Sequence, residues 1–311
     1  MALWFALVLG LVQGAAEFLP VSSSGHLALL RAFFPGLAPE DGLFFDVVLH
    51  LGTLLSLTVV YRRELWGLGK ALLTLPFRRG AREEDRRLLG LLALGALPLG
   101  LTLPFRRGAR EEDRRLLGLL ALGALPLGLI LPLKGFLERV NGDARFVGAA
   151  LLANGALLYI SDKLIPGRKQ ARDAKAADAL WVGFAQALAV VPGLSRSGST
   201  ITAGLLAGFG RSFAVRYSFL LSFPAVLGAG IVKLAEARRA GFDPALLLPC
   251  LIGAWAAALS GVLAIRLVRA LVDRGRFRPF AFYCWAVGLA AIIMSWMTGR
   301  RKNWAFPLSR A

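Results

Sequence analysis

Long apolar runs separated by short basic connections constrain this chain more than any other feature of its sequence. Several runs approach the roughly 20 residues that an α-helix needs to cross a hydrocarbon core. They cover residues 43–61, 116–133, 146–160, 213–232, 244–265 and 279–298. Charged residues make up only 18% of the chain, against about 25% in a typical soluble domain. The sequence therefore predicts an all-α polytopic membrane protein.

The formal net charge of +18 would suit a nucleic-acid-binding protein, but its distribution favours a membrane protein. Arg and Lys cluster in short connections, such as Arg62-Arg63 and Arg168-Lys169, as they do beside membrane spans. The sequence has no basic face interleaved with aromatic residues. We therefore expect membrane lipids as partners and no nucleic acid, and the sequence indicates no particular oligomeric state.

An identical tandem duplication lies in the first half of the chain. Residues 73–100 recur letter for letter as residues 101–128. Two copies without divergence indicate either a very recent duplication or an error of sequence assembly. The duplication therefore carries no ancestral function.

The basic connections predict how often the chain crosses the membrane around this duplication. Arg62-Arg63 and the run 163–175 both favour the cytoplasm, so an even number of crossings must separate them. The stretches 116–133 and 146–160 supply two crossings. If 88–105 crossed as well, the count would be odd. We therefore expect one copy of the duplicated apolar stretch not to span.

A second, diverged repeat relates the segment beginning at Gly10 to the segment beginning at Gly183. GLVQGAAEFLPVSSSGH and GFAQALAVVPGLSRSGS match at a constant offset. The matched pairs are Gln13 with Gln186, Ala16 with Ala189, Ser22 with Ser195, Ser24 with Ser197 and Gly25 with Gly198. Such internal repeats are typical of membrane folds whose sites form at broken helices between two halves.

Each repeated segment breaks an apolar stretch with proline, glycine and serine. Irregular backbone at membrane depth is tolerated only where protein or a water-filled cavity surrounds it. We expect re-entrant helix hairpins over 8–30 and 183–210, with tips that meet near the midplane. The alternative is a pair of ordinary helices with tolerated prolines. The predicted fold is one membrane domain, 1–311, with about six transmembrane helices in an inverted repeat of 1–161 and 176–299.

The first hairpin carries a concentrated set of reactive side chains. Gln13 and Glu17 share one helix face, and a serine cluster with His26 follows them. Ionisable residues inside a membrane are costly and are functional by default. This set suggests a nucleophile with a base, or a metal ligand with a base. The alternative is a satisfied polar cluster that stabilises the hairpin.

The second hairpin has the composition of an anion site. The segment 192–200, PGLSRSGST, places a glycine-rich turn and hydroxyls at the start of a helix, where backbone N–H groups face an anion. Arg196 at its centre suits bidentate recognition of phosphate. A snorkelling arginine is the alternative. Taken together, the two hairpins predict phosphate chemistry within the membrane.

Asp46 and His50 form a second polar pair, four residues apart in the first full span. We expect them to bond to each other and to support a hairpin. A role in metal binding or proton handling is the alternative.

The motifs resemble those of the undecaprenyl-diphosphate phosphatases, also called bacitracin-resistance proteins. The resemblance rests on Gln13-x-x-x-Glu17, PVSSSGH at 20–26, PGLSRSGST at 192–200 and FFDVVLHLGTLLSL at 44–57. It runs almost end to end outside the duplication. Many members of the family have Glu where this chain has Gln13.

The resemblance implies a function and a location. These proteins remove the terminal phosphate of the C55 isoprenyl diphosphate, which recycles the lipid carrier of peptidoglycan synthesis and confers bacitracin resistance. They have six spans and two re-entrant hairpins in the bacterial plasma (inner) membrane, with a site open to the outer side. A transporter that flips undecaprenyl phosphate without chemistry is the competing function, since it needs Arg196 but not Glu17, Ser23 and His26 together.

The resemblance also implies roles for individual residues. Glu17, supported by Gln13, would bind a divalent cation, Mg²⁺ or Ca²⁺, or polarise water. Ser23 would be the nucleophile and His26 its base or proton carrier, although direct attack by metal-activated water is equally compatible with these residues. Arg196 would clamp the diphosphate. Hydrogen bonds to the phosphate would come from Ser22, Ser195, Ser197 and Thr200, and Asp46 would support the site.

Overall fold

The computed structural model describes most of the chain outside the duplication. The described ranges are 2–37, 42–74, 111–133, 142–165, 167–240, 244–273 and 275–297, with residues 135, 137 and 140. The apolar stretch 88–105 lies outside these ranges. The prediction that only one duplicated stretch spans therefore stays a prediction.

The described part of the chain is helical, and its only β-structure is an isolated bridge between Lys169 and Phe209. The helices of the first half are α1 (Leu3–Phe18), α2 (Ser23–Phe33), α3 (Gly42–Val60), α4 (Arg62–Thr74), α5 (Glu111–Ala124) and α6 (Ala144–Ser161). The helices of the second half are α7 (Ala176–Leu188), α8 (Arg196–Leu206), α9 (Arg211–Ala240), α10 (Leu247–Asp273) and α11 (Arg278–Met297). Two 3₁₀ segments cover Leu125–Leu133 and Pro244–Leu246.

Within the described ranges, four helices are long and apolar enough to cross a membrane. They are α6, Arg211–Ile231 of α9, Leu247–Val272 of α10, and α11. A fifth candidate is the pair of α3 and α4, which meet at an angle of 92° at the break after Val60. The predicted spans 146–160, 213–232, 244–265 and 279–298 each fall on one of the four helices. The protein is thus a multi-pass membrane protein.

The predicted span 116–133 is not one regular α-helix. Its α-helical part, α5, ends at Ala124, and the chain continues as a 3₁₀ helix from Leu125 to Leu133. Pro126 and Pro132 lack the backbone N–H, so each removes one α-helical hydrogen bond, and the two lie only six residues apart. Hydropathy alone predicted this stretch as a span, and the prolines explain the difference.

Both repeated segments form a pair of helices with a short break. The first break, Leu19–Ser22, separates α1 from α2, and the second, Ala189–Ser195, separates α7 from α8. Each second helix begins with a serine cap: Ser22 Oγ accepts a bond from the Gly25 N–H at 3.2 Å, and Ser195 Oγ from the Gly198 N–H at 3.1 Å. The two copies of the repeat share this cap because a serine oxygen satisfies an otherwise unpaired N–H of the first turn.

The first helix of each hairpin packs against the opposite half of the chain. Helix α1 packs on α10, and a Cβ on Gly10 would lie 2.3 Å from the Gly253 carbonyl oxygen. Helix α7 packs on α5, and a Cβ on Gly183 would lie 2.4 Å from the Gly123 carbonyl oxygen. Small residues allow helix backbones to approach closely, which is the main source of packing energy between helices in lipid. The two halves are therefore interlocked.

The close α1–α10 packing predicts that alanine lowers the thermal stability at Gly10 but not at Gly69, which lies outside this contact. Gly10→Ala should lower the thermal midpoint of the purified protein, because the added methyl group overpacks the contact at a cost of about 1–3 kcal/mol. Gly69→Ala in α4 is the matched control, since no atom lies within 4 Å of its Cβ position. It should leave the midpoint unchanged or raise it, because alanine favours helix by roughly 1 kcal/mol over glycine. Equal midpoints for the two variants would contradict the close α1–α10 packing.

Candidate active site

The two helix breaks lie against each other. A Cβ on Gly25 would be 3.0 Å from the Gly193 Cα, and a Cβ on Gly198 would be 3.3 Å from the Pro20 Cβ. The hydroxyl of Ser197 donates to the Leu19 carbonyl at 3.2 Å. The residues that the sequence singled out on separate hairpins therefore share one region of the fold.

Glu17 is at the centre of this region and accepts from three side chains. Its Oε1 forms an ion pair with Arg196 Nη2 at 2.6 Å. Its Oε2 accepts from Ser23 Oγ at 2.6 Å and from Gln13 Nε2 at 3.1 Å. The structure thus brings together four predicted site residues: Gln13, Glu17, Ser23 and Arg196. Gln13 and Glu17 lie on one helix face, as predicted. Only 7% of the Glu17 side chain and 17% of the Arg196 side chain are exposed, so the ion pair is shielded from water.

Two polar atoms of this cluster remain unsatisfied. Arg196 Nη1 and Gln13 Oε1 are buried and have no hydrogen-bond partner among the described residues. Buried polar atoms normally have partners, so an orphaned pair next to an ion pair indicates a place for a ligand. A guanidinium N–H can bind an anionic oxygen, and an amide oxygen can bind a cation.

The oxygen atoms of Glu17 and Gln13 fit a hard divalent cation that takes its other ligands elsewhere. The described residues contain no group of three or more His, Cys, Asp or Glu side chains that could hold a metal ion by themselves. Mg²⁺, however, is usually bound through one or two carboxylates, with waters and substrate phosphates completing its shell. The Glu17 carboxylate and the free Gln13 Oε1 match that partial ligand set.

His26 points away from Ser23. Its Nδ1 is bonded to the Ser22 carbonyl at 2.7 Å, and its Nε2 to the Tyr283 hydroxyl at 2.9 Å. The two rings are stacked, with centroids 5.5 Å apart. A neutral imidazole with its proton on Nδ1 satisfies both contacts. The predicted pair of Ser23 with His26 is therefore not formed in this structure, where the partner of Ser23 is Glu17.

The predicted phosphate-binding hydroxyls are buried and used within the fold. Ser22 and Ser195 cap their helices, and Ser195 Oγ also lies 3.1 Å from Ser197 Oγ. Thr200 Oγ1 donates to the Arg196 carbonyl at 2.8 Å and lies 2.5 Å from Ser218 Oγ. These contacts shape the two breaks, and contact of the hydroxyls with phosphate stays a prediction.

Ser22 has a backbone conformation that residues other than glycine rarely adopt. Its φ is 72°, the only positive φ among non-glycine residues in the described ranges. Such a conformation costs of order 1–3 kcal/mol and persists where the surrounding structure imposes it. Here it turns the chain sharply between α1 and α2, which allows Ser23 to reach Glu17.

Asn154 is the principal site residue that the sequence analysis missed. This fully buried residue of α6 donates from Nδ2 to the Pro20 carbonyl at 2.9 Å and accepts at Oδ1 from the Ser195 N–H at 3.0 Å. One amide therefore satisfies a backbone group in each helix break. The available signal was that Asn154 is a single asparagine inside the apolar run 146–160. A polar residue at membrane depth is costly and therefore indicates a structural or functional role.

Asp46 supports the first hairpin through a partner that the sequence analysis did not identify. Its carboxylate pairs with Arg31 of α2, with Nη1 at 2.8 Å from Oδ2 and a second contact between Nη2 and Oδ1. The bond between the predicted pair runs from His50 Nδ1 to the main-chain carbonyl of Asp46, at 2.7 Å. The carboxylate of Asp46 thus contacts α2, whereas the bond from His50 involves the main chain of Asp46.

Comparison with known proteins matches nearly the whole chain to one family. The family model described as bacitracin resistance protein BacA matches residues 6–106 and 101–290, and the two matches overlap inside the second copy of the duplication. An undecaprenyl-diphosphatase of Halothermothrix orenii is 36% identical over 95% of this chain and 99% of its own length. Undecaprenyl-diphosphatases of Desulforapulum autotrophicum and Rubrobacter xylanophilus are 39% and 40% identical, over 94% and 93% of this chain and 98% and 96% of their own lengths.

The Asn154 bridge predicts a large loss of stability on one substitution. Asn154→Leu should lower the thermal midpoint strongly, because it leaves the Ser195 N–H buried and unpaired and leaves the Pro20 carbonyl with only the long contact to Cys284 Sγ at 4.0 Å, at about 1–3 kcal/mol for each lost bond. Ser161→Ala is the control on the same helix, since its buried hydroxyl bonds only within α6, to the Leu158 carbonyl. If both variants unfold at the same temperature in detergent, Asn154 does not join the two breaks.

Proposed function

This chain belongs to the bacitracin resistance protein BacA family, and we propose that it hydrolyses undecaprenyl diphosphate to undecaprenyl phosphate and inorganic phosphate. The observation that carries the proposal is the buried cluster in which Glu17 joins Ser23 to Arg196, with Arg196 Nη1 still unpaired. Such a cluster offers an anion site and a nucleophile within an apolar helical domain. A lipid diphosphate combines the two matching parts, an anionic head and an apolar chain.

Arg196 binds the terminal phosphate in the proposed mechanism. Its Nη2 stays on Glu17, while the unpaired Nη1 donates to a phosphate oxygen. Phosphoryl transfer depends mainly on positioning and on electrostatic stabilisation of the three equatorial oxygens. A guanidinium held in place by an ion pair needs no reorganisation to provide that stabilisation.

Ser23 attacks the terminal phosphorus, and Glu17 takes its proton. The new bond joins Ser23 Oγ to phosphorus, and the bond from phosphorus to the bridging oxygen breaks, which releases undecaprenyl phosphate. Water then attacks the same phosphorus and displaces Oγ: Glu17 returns its proton to Ser23 Oγ, and both hydrogen atoms of the water leave with inorganic phosphate as H2PO4⁻. The 2.6 Å bond from Ser23 Oγ to Glu17 Oε2 supports Glu17 as the base in place of His26. His26, whose Nε2 bonds to Tyr283, is assigned the role of a proton carrier.

A divalent cation, Mg²⁺ or Ca²⁺, belongs to the proposal as well. Glu17 and the free Oε1 of Gln13 would hold it beside the diphosphate. When bound, the cation would neutralise part of the negative charge on the phosphate oxygens.

The two broken helix pairs are proposed as re-entrant hairpins in an inverted repeat of six spans. Helices α2 and α8 have 11 residues each, about 16 Å, which is too short to cross a bilayer. The interlocked packing of α1 on α10 and of α7 on α5 supports two related halves. The basic connections Arg62-Arg63 and 163–175 face the cytoplasm in this arrangement. The location is then the bacterial plasma membrane, with the site open to the outer side.

The proposed function predicts that phosphate release depends on Arg196 and on a cation. Arg196→Ala should lower the rate about 10²–10³-fold, the usual effect of removing one donor to a transition-state oxyanion. EDTA should abolish the activity of the wild-type protein, and Mg²⁺ or Ca²⁺ should restore it. The measurement is inorganic phosphate released from undecaprenyl diphosphate by purified protein in detergent.

Arg172→Ala is the control, since that side chain is 85% exposed and lies in a connection. It should leave the rate unchanged. Near-wild-type turnover by Arg196→Ala would exclude Arg196 as the phosphate ligand. If the wild-type protein releases no phosphate under any of these conditions, a transporter of the lipid phosphate becomes the better hypothesis.

The nucleophile is tested by comparing neighbouring serines. Ser23→Ala should lose activity almost completely, because no other hydroxyl is bonded to Glu17 in the described structure. Ser24→Ala should keep most of its activity, since Ser24 is exposed and its hydroxyl lies 3.3 Å from Ser22 Oγ. Substantial phosphate release by Ser23→Ala would identify water as the nucleophile and Ser23 as a binding contact only.

A further inference from the structure

An apolar groove runs between α2 and α11. It encloses a cavity of about 200 Å³. One face of each helix forms its walls. The residues used in the following argument are Leu29, Leu30 and Phe33 of α2 and Val287, Ala290 and Met294 of α11. No residue of the cluster around Glu17 lines the groove, so it is a separate feature of the fold.

The groove has a polar end next to the catalytic cluster. His26 and Tyr283 line this end of the groove, and their side chains are hydrogen-bonded to each other at 2.9 Å. His26 follows Ser23 by one turn of α2. The groove therefore begins one helical turn from Ser23 and leads along α2 toward Phe33.

We propose that this groove binds the first isoprene units of the substrate's chain. The inference rests on the proposed function and specifies where the lipid part of that substrate lies. Polarity decreases along the site, from the charged groups of Glu17 and Arg196, through the hydrogen-bonding groups of His26 and Tyr283, to the apolar walls of the groove. It decreases in the same direction along an isoprenyl diphosphate, from its charged head to its apolar chain. The 11 residues of α2 span about 16 Å, so the groove holds only the start of a C55 chain, and the rest lies in the bilayer.

The polar end favours the substrate over an acyl chain of the bilayer. A phospholipid tail that enters the groove would end in a methyl group beside His26 and Tyr283, whose side chains are already bonded to each other, and it would leave Arg196 Nη1 without a partner. The isoprenyl chain of a bound diphosphate instead begins at its phosphate, so the head group and not a methyl group lies near these residues. The groove then contributes to the choice of substrate by chain length.

The test compares a long with a short isoprenyl diphosphate. Ala290 lies on the exposed side of the groove wall, so Ala290→Trp narrows the groove without displacing core residues. The substrates are farnesyl diphosphate (C15) and dimethylallyl diphosphate (C5), in the same detergent. We expect Ala290→Trp to lower kcat/KM for the C15 substrate about tenfold or more, in the range that loss of apolar contacts in a pocket produces. The single isoprene unit of the C5 substrate lies at the polar end beside Tyr283, seven residues (about 10 Å) before Ala290, so its kcat/KM should change less than twofold.

Leu289→Trp is the matched control on α11, because Leu289 is 51% exposed and does not line the groove. It should leave both substrates unaffected. An equal loss for both substrates in Ala290→Trp would overturn the inference, since it would show a general disturbance of the site. No loss for either would also overturn it, because the chain then lies elsewhere. Ala290→Phe provides the same comparison if Ala290→Trp does not fold.

The outcome separates this inference from the proposed function. If wild-type protein releases no phosphate from either substrate or from undecaprenyl diphosphate, the proposed function itself fails. If wild-type protein hydrolyses both short substrates with equal kcat/KM, the function stands and the groove has no role in binding the chain.

Discussion

The ion pair between Glu17 and Arg196 is the interaction on which the rest of the site depends. An unpaired charge in a buried, apolar position costs several kcal/mol, so each partner stabilises the presence of the other. Glu17 comes from the first copy of the diverged repeat and Arg196 from the second. The bonds from Gln13 and Ser23 satisfy the remaining carboxylate oxygen. The charge at the centre of the site is therefore also a tie between the two halves of the molecule.

Irregular backbone imposes a second constraint on the same region. Where a helix breaks among apolar neighbours, its free carbonyl and N–H groups need partners from the protein. Asn154 solves this for both breaks with one side chain, because an amide both donates and accepts. The α6 helix is thus a structural support for the site, although it contributes no group to the cluster around Glu17.

The sequence predicted the features that depend on local spacing. Four of the six apolar runs correspond to helices that are long and apolar enough to cross a membrane, and the bond between Gln13 and Glu17 follows from their four-residue separation. Partners that are distant in sequence were not predictable in the same way. The family resemblance implied His26 as the base of Ser23, whereas the turn at Ser22 brings Ser23 to Glu17. Asp46 is paired with Arg31, and His26 with Tyr283. Both pairs depend on how the helices pack, and the sequence motifs carry no information on this packing.

The packing of α1 on α10 has a consequence for biosynthesis. As the ribosome releases the chain, α1 emerges before α10, and the surface that Gly10 contacts, around Gly253, follows 243 residues later. Contacts between such distant parts of a chain form late, and the unfinished surfaces stay exposed in the meantime. Until α10 has been synthesised, the short helix α1, with its polar residues Gln13 and Glu17, stays at the translocation machinery or in the bilayer without the helix that it packs on in the folded protein. Nascent chains truncated before α10 should therefore depend on membrane chaperones or be degraded.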